Sequence, residues 1–301
     1  MVANPLPTPS LAHFDWTGHD GLRLAASTAG PLGEAPAVLF AHGFGQTRQA
    51  WARSMQALGR QGLASAAWDL RGHGQSGRNP PGQPYTVPQF VEDSLAIRAT
   101  LDRPPVLVGA SMGGLIGLAA QARGAAFSAL VLVDVTPRWE AAGLQRILAF
   151  MGAHPEGFED HEHAVRAIAA YLPHRRGKKA PADLDHLLQR GEDGRLRWHW
   201  DPRLLQDLAD SARHQEELAE AARAIEVPVL LISGGRSDLV SEDTIAHFRS
   251  LVPHAQHQCL PDATHMVAGD DNDAFTRIVI DFLHARSDAA PTPRPLSGAQ
   301  P

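Results

Sequence analysis

Val106-Leu107-Val108-Gly109-Ala110-Ser111-Met112-Gly113-Gly114-Leu115 is the stretch whose reading decides the fold. A buried-strand pattern leads in, and an Ala/Leu-rich helical pattern, Leu115–Arg123, leads out. The centre fits G-x-S-x-G. A serine on a tight strand-to-helix turn needs neighbours without bulk two positions away, and Gly109 and Gly113 stand there. The amide after the serine, Met112 N–H, then lies at a helix N-terminus, where backbone donors lack partners and negative charge is favoured. The same letters occur in ordinary Gly-rich turns. The strand before and the helix after make this one a candidate nucleophile elbow.

The alternation continues on both sides. Upstream, His13–Trp16 and Leu22–Ser27 predict a hairpin, and Ala37–Ala41 and Leu63–Trp68 predict strands. Arg48–Gly59 and Val87–Leu101 have helical spacing. Downstream, Ala129–Val135, Val229–Ser233 and His257–Leu260 read as strands, and Ser241–Leu251 and Asp271–Ala285 as helices. Repeated strand–helix alternation predicts an α/β fold with a doubly wound, mainly parallel sheet and helices on both faces. Between Pro137 and Val227 the rhythm breaks. Four helix patterns appear there, Leu144–Ala153, His161–Tyr171, Asp183–Arg190 and Pro202–Ala222, with no convincing buried strand. The expected organisation is a core formed by 11–136 and 227–286 with an inserted helical cap, 137–226. The Pro-rich ends, 1–10 and 287–301, are expected to be disordered.

The composition narrows the class. The 301 residues are 44% hydrophobic and 20% charged, as in soluble globular domains. A net charge of −6 argues against a nucleic-acid binder, which normally presents a basic face. One short basic run, Arg175-Arg176-Gly177-Lys178-Lys179, does not change that. The single Cys259 makes neither an intrachain disulfide nor a cysteine-based metal cage. No segment reaches the ~18 apolar residues of a membrane helix, so no stable membrane insertion is expected. The first residues, MVANPLPTPS, lack the basic and apolar regions of a secretory leader, so the expected compartment is the cytoplasm.

A serine hydroxyl is a poor nucleophile without a base, and the base needs an orienting carboxylate. With 16 histidines in the chain, position must select among them. His265 follows the last short strand, on a loop that opens at the same sheet edge as Ser111. Asp238 follows the strand VLLIS, and Asp134 ends ALVLVDV. The order Ser111, Asp238, His265 makes Asp238 the preferred acid, with Asp134 the rival from the neighbouring strand. His42-Gly43-Phe44-Gly45, just after AVLFA, offers Phe44 N–H as a second oxyanion donor beside Met112 N–H. His42 itself reads as a residue that shapes the loop. His161-Glu162-His163 could suggest a metal, but positions i and i+2 lie on different helix faces. No metal and no cofactor is expected.

These motifs resemble the α/β-hydrolase superfamily, in the group with an inserted lid, over roughly His13 to Arg286. The segment Asp69-Leu70-Arg71-Gly72-His73-Gly74-Gln75-Ser76 is similar to that superfamily's D-x-R-G-x-G-x-S loop. In it Arg71 reads as pairing locally and the glycines as making turns. Ser-Met-Gly-Gly at 111–114, Trp198-His199-Trp200-Asp201-Pro202 and His265–Asp270 look like serine carboxylesterases and the cofactor-free peroxidase/esterase group. The resemblance implies a serine esterase with a Ser-His-Asp triad, a backbone oxyanion hole and a small-molecule acyl substrate. Serine at the elbow disfavours the branches that open epoxides or displace halide with an aspartate. A C–C bond hydrolase, a lactonase or a perhydrolase would use the same residues. A ligand receptor on the same scaffold is the alternative of another class, and a homo-oligomer remains compatible with all of them. Trp139, Trp198, Trp200 and Met266 are candidate pocket walls.

Overall fold

The computed structural model describes residues 10–31, 33–124, 126–171, 184–208, 214–270 and 272–289. The expected hairpin forms from β1 (Ala12–Thr17) and β2 (Arg23–Ala29). The other sheet strands are β3 (Val38–Ala41), β4 (Ser65–Trp68), β5 (Val106–Ala110) and β6 (Ala129–Val133). After the insertion, which itself holds β7 (Leu188–Arg190) and β8 (Leu196–Trp198), come β9 (Val229–Gly234) and β10 (Gln256–Leu260). The eight-stranded sheet has the order β1-β2-β4-β3-β5-β6-β9-β10. β2 is antiparallel to β1 and β4, and every pair from β4 to β10 is parallel. This is the α/β architecture read from the alternation.

Successive residues of the central strands feed opposite cores, as the two-residue period of a strand requires. Leu39, Leu107, Leu132 and Leu231 join one cluster, while Phe40, Val108, Val131 and Ile232 join the other. Helices α2 (Val87–Ala99), α3 (Met112–Ala122) and α8 (Glu242–Leu251) supply the first cluster. Helices α1 (Ala52–Arg60) and α10 (Asn272–Ala289) supply the second. On α10, Phe275, Val279, Phe282 and Leu283 repeat at i, i+4, i+7 and i+8, so one stripe faces the sheet. Each such burial stabilises by about 1.5–3 kcal/mol. The start expected at Ser241 is explained by reciprocal bonds. Thr244 N–H donates to Ser241 Oγ at 3.3 Å, and Ser241 N–H donates to Thr244 Oγ1 at 2.9 Å.

Sheet order fixes where a ligand fits. The chain runs from β3 outward to β4, then returns to place β5 on the other side of β3. The strand order therefore reverses between β3 and β5, and the crevice beyond their C-terminal ends is the binding place that such sheets create. The loop 42–46 leaves β3 there, and Ser111 leaves β5 there.

The insertion departs from the all-helical expectation. It holds α4 (Ala141–Gly152), α5 (His161–Tyr171), α6 (Leu204–Leu208) and α7 (Gln215–Arg223). It also holds an antiparallel pair, β7 (Leu188–Arg190) and β8 (Leu196–Trp198), where a helix over Asp183–Arg190 was expected. The reason is the turn Gly191-Glu192-Asp193-Gly194, with Gly194 at φ +79° and Gly191 N–H donating to Arg195 O at 2.8 Å. Phe158, Ala164, Leu184, Leu187, Leu188 and Leu196 give the insertion a small core of its own. The helix read over Pro202–Ala222 is α6 and α7, with residues 209–213 outside the described part. α10 continues to Ala289, so ordered chain extends past the expected end at 286. Residues 1–9, 290–301 and the basic run at 175–179 lie outside the described residues. No described helix is long and apolar enough to cross a membrane.

Candidate active site

Among the described residues only two non-glycine residues have positive φ, Ser111 at +47° and Asp134 at +49°. Such conformations cost about 1–3 kcal/mol each and persist where the surroundings dictate them. Around Ser111 the surroundings are backbone. A Cβ on Gly109 would lie 2.6 Å from Gly113 O and Gly114 N, and one on Gly113 would lie 2.4 Å from Ala41 O. The two glycines of the motif are thus required by close approach of β5, α3 and the end of β3. Ser111 N–H donates to Val133 O at 3.0 Å, tying the elbow to the residue before Asp134. Ser111 itself is partly exposed.

The loop after β3 passes directly over the serine, because a Cβ on Gly43 would lie 3.2 Å from Ser111 Cβ. Phe44 N–H is in this loop and Met112 N–H opens α3. Neither donates to another described residue. Two free amides flanking one serine at a sheet edge can hold an oxyanion.

His265 lies on the loop between β10 and a short helix, α9 (Val267–Asp270). Its Nδ1 is 2.7 Å from Asp134 Oδ2, and Asp134 is fully buried. The carboxylate also accepts from Gly234 N–H at 2.8 Å and Ser237 Oγ–H at 2.5 Å. A Cβ on Gly234 would sit 2.5 Å from Thr264 O, so glycine there lets the end of β9 press against the loop that carries His265.

The structure brings Asp134, and not the preferred Asp238, to His265. Asp238 lies four residues past β9, and its carboxylate pairs with Arg146 of α4. Asp134 follows β6 directly, is buried, and meets His265. Both satisfy the chain order, so order alone did not separate them.

Of the four pocket candidates, Trp200 and Met266 lie beside the loop after β3. Trp200 packs on Phe44 with ring centroids 4.8 Å apart, and Met266 Sδ is 4.0 Å from Gln46 Nε2. Trp198 is instead engaged inside the insertion by Phe158 at 5.1 Å and Phe150 at 6.0 Å. Trp139 is buried in the core cluster that includes α3. Met151, which the sequence did not single out, reaches the same loop: a Cβ on Gly45 would lie 2.3 Å from its Cε.

The segment 69–76 is built from ion pairs. Asp69 pairs with Arg48 and accepts from Arg48 N–H at 2.7 Å and Gln75 N–H at 2.9 Å. Arg71 donates to the nearby Asn79 Oδ1 at 2.8 Å, but its ion pairs are distant: it makes two bonds of 2.7 Å to Asp93 of α2 and reaches Asp20 in the β1–β2 turn. One group of described residues has metal-ligand spacing, His19, Asp20 and Asp93. The Arg71 guanidinium already supplies both carboxylates with a cation, so the group reads as an ion-pair network. His161 and His163 diverge, His161 toward Asp185 at 2.9 Å and His163 Nδ1 toward Glu159 N–H at 3.4 Å.

Three further histidines, His42, His73 and His199, are buried beside the loop after β3. Burial pushes His199 down to about 4, with His42 and His186 adding to it and the Gly45 carbonyl and Asp69 opposing it. Burial, then His42, His199 and Arg78, hold His73 well below the usual histidine value, and burial lowers His42 against the opposing pull of Asp69. The unfolded chain, with ordinary histidines near 6.5, binds protons first as pH falls. Stability from this trio is complete above that value and is lost as pH falls below it, the His199 part as pH drops toward 4. His199 alone predicts a loss of about 2 kcal/mol between pH 7 and pH 5, and the other two act in the same direction. Urea unfolding at both pH values measures it; an unchanged midpoint would contradict it.

Comparisons with known proteins show the family. Residues 38–278 match the model of the alpha/beta hydrolase family. An esterase of Mycobacterium tuberculosis is 32% identical over 265 residues, covering 84% of this chain and 85% of the relative. A 3-hydroxybutyrate-oligomer hydrolase of Cupriavidus necator is 32% identical over 215 residues, covering 65% of this chain and 71% of the relative. Among solved structures, an E-2-(acetamidomethylene)succinate hydrolase superposes with a TM-score of 0.79 at 25% identity, covering 91% of this chain and all (100%) of the other.

Proposed function

The chain belongs to the alpha/beta hydrolase family, and we propose that it hydrolyses carboxylic esters through an acyl-enzyme on Ser111. The observation that carries this is the Asp134–His265 pair at 2.7 Å, set at the sheet edge that presents the strained Ser111. With Nδ1–H donated to Asp134, His265 keeps Nε2 unprotonated, the tautomer a general base requires. His265 takes the Ser111 proton as Oγ attacks the acyl carbon. Phe44 and Met112 amides hold the tetrahedral oxyanion, and His265 returns the proton to the leaving alcohol. A water then attacks the acyl-enzyme, giving up its proton to His265; His265 returns that proton to Ser111 Oγ as the ester bond to the serine breaks, and the acid departs.

The insertion serves in this reading as the cap that roofs the crevice and sets specificity. Met151 and Trp200 from it, with Met266 from the core, surround Gly45, Phe44 and Gln46 with apolar surface. Such walls suit the acyl chain better than a charged group. The two named ester-cleaving relatives, the mycobacterial esterase and the hydroxybutyrate-oligomer hydrolase, support an ester rather than a phosphate or a glycoside. The test is hydrolysis of p-nitrophenyl esters from acetyl to dodecanoyl. Turnover with an optimum at short to medium chains is expected. A folded protein that leaves the whole series uncleaved would contradict the reading.

A further inference from the structure

The loop that carries Phe44 N–H is held by histidines at three successive peptides. Gly43 O accepts from His42 Nδ1–H at 2.8 Å. Gly45 N–H donates to His73 Nε2 at 3.3 Å, and Gly45 O accepts from His199 Nε2–H at 3.3 Å. The second nitrogen of each ring binds the neighbouring segment 70–74. His42 Nε2 accepts from Leu70 N–H at 2.9 Å, His73 Nδ1–H donates to Arg71 O at 3.1 Å, and His199 Nδ1 accepts from Gly74 N–H at 2.7 Å. Each imidazole thus donates through one nitrogen and accepts through the other, which only the neutral ring can do. The rings lie beside one another, His42 to His73 at 5.1 Å and His73 to His199 at 5.9 Å.

One of the three comes from elsewhere in the chain. His42 leaves β3 and His73 lies in the segment after β4, but His199 follows β8 of the insertion. Its ring reaches 154 residues back in sequence to the Gly45 carbonyl. Gly45 has φ +74°, a conformation open to more than one peptide orientation in glycine. The two peptides that flank Gly45 therefore need external partners to fix them, and His73 holds the N–H of the first while His199 holds the carbonyl of the second.

Resting on the ester-hydrolase reading above, we propose that His199 is a positioning residue. Through its bond to Gly45 O, opposite His73, it holds the Phe44 amide aimed over Ser111 and makes that aim depend on the seating of the insertion. A donor that is misaimed weakens the transition state more than the bound substrate, so the effect belongs in kcat.

Two substitutions separate the two ring nitrogens. His199→Gln puts an amide donor where Nε2–H was and keeps the Gly45 bond. His199→Asn puts an acceptor where Nδ1 was and keeps only the Gly74 bond. With p-nitrophenyl butyrate, His199→Asn is expected to lower kcat about 10-fold with KM within twofold, a fraction of the roughly 10²–10³-fold cost of losing an oxyanion donor outright. His199→Gln is expected to stay within threefold of the unaltered protein. Inhibition by a trifluoromethyl ketone, which mimics the tetrahedral oxyanion, should weaken in parallel with kcat/KM. Equal kcat in both variants, equal losses in both, or a change confined to KM would overturn the proposal. If His199→Asn does not fold, the same pair at His73 reads the same clamp, because His73→Gln keeps the Gly45 N–H bond and His73→Asn does not. An active protein abolished by Ser111→Ala but indifferent to these changes rejects the clamp alone. No turnover before any substitution rejects the esterase reading, and the clamp with it.

Discussion

Ser111→Ala is expected to lower kcat/KM for p-nitrophenyl butyrate by at least about 10⁴-fold while leaving the fold intact. The substitution removes the hydroxyl that the proposed reaction uses as its nucleophile. It leaves both oxyanion amides, so weak residual catalysis above water survives. Alanine relieves none of the close approaches at Gly43, Gly109 and Gly113, which are set by backbone and Cβ atoms. The φ of +47° persists with it, so stability should change by less than about 1 kcal/mol. Steady-state kinetics beside thermal unfolding check both halves. Activity retained within tenfold would remove Ser111 from the chemistry.

The second large effect separates two carboxylates. Asp134→Asn is expected to lower kcat about 10⁴-fold, because an amide donor opposite Nδ1 favours the wrong imidazole tautomer. The amide oxygen can still accept from Gly234 N–H, which limits damage to the fold. Asp238→Asn is expected to leave kcat within about threefold and stability within about 1 kcal/mol, since it breaks one ion pair with an Arg146 that is 63% exposed. The opposite outcome, a dead Asp238→Asn and an active Asp134→Asn, would restore the acid expected from chain order and contradict the geometry.

That disagreement shows how far the sequence was legible. The elbow was readable because its chemistry leaves local marks: glycines two positions from the serine, a strand before and a helix after. His265 was readable because it lies on the loop directly after the last strand, whereas His284 falls within the final helix pattern. The acid was not, because two adjacent strands each end near an aspartate. What separates Asp134 from Asp238 is burial and a partner on α4, neither of which has a local signature. The insertion was legible as an interruption but not in its detail. The turn at Gly191–Gly194 outweighed the leucine spacing that suggested a helix, since three residues on either side are enough for a hairpin when Phe158 bridges Leu196 and a small core covers it. The segment that holds His199 was marked by its resemblance, but neither the contact His199 makes nor Met151 could have been found from pattern. Their importance comes from which part of the insertion lies over Gly45, a tertiary fact.

Trapping the covalent intermediate tests the central claim most directly. The protein is mixed with p-nitrophenyl butyrate, quenched in acid within the first turnovers, and analysed by intact-mass and peptide mass spectrometry. The account predicts a mass increase equal to one butyryl group, mapped to the peptide containing Ser111 and absent from Ser111→Ala. Rapid ester turnover with no adduct when acylation is made rate-exceeding by slowing deacylation, or an adduct on another residue, would contradict it.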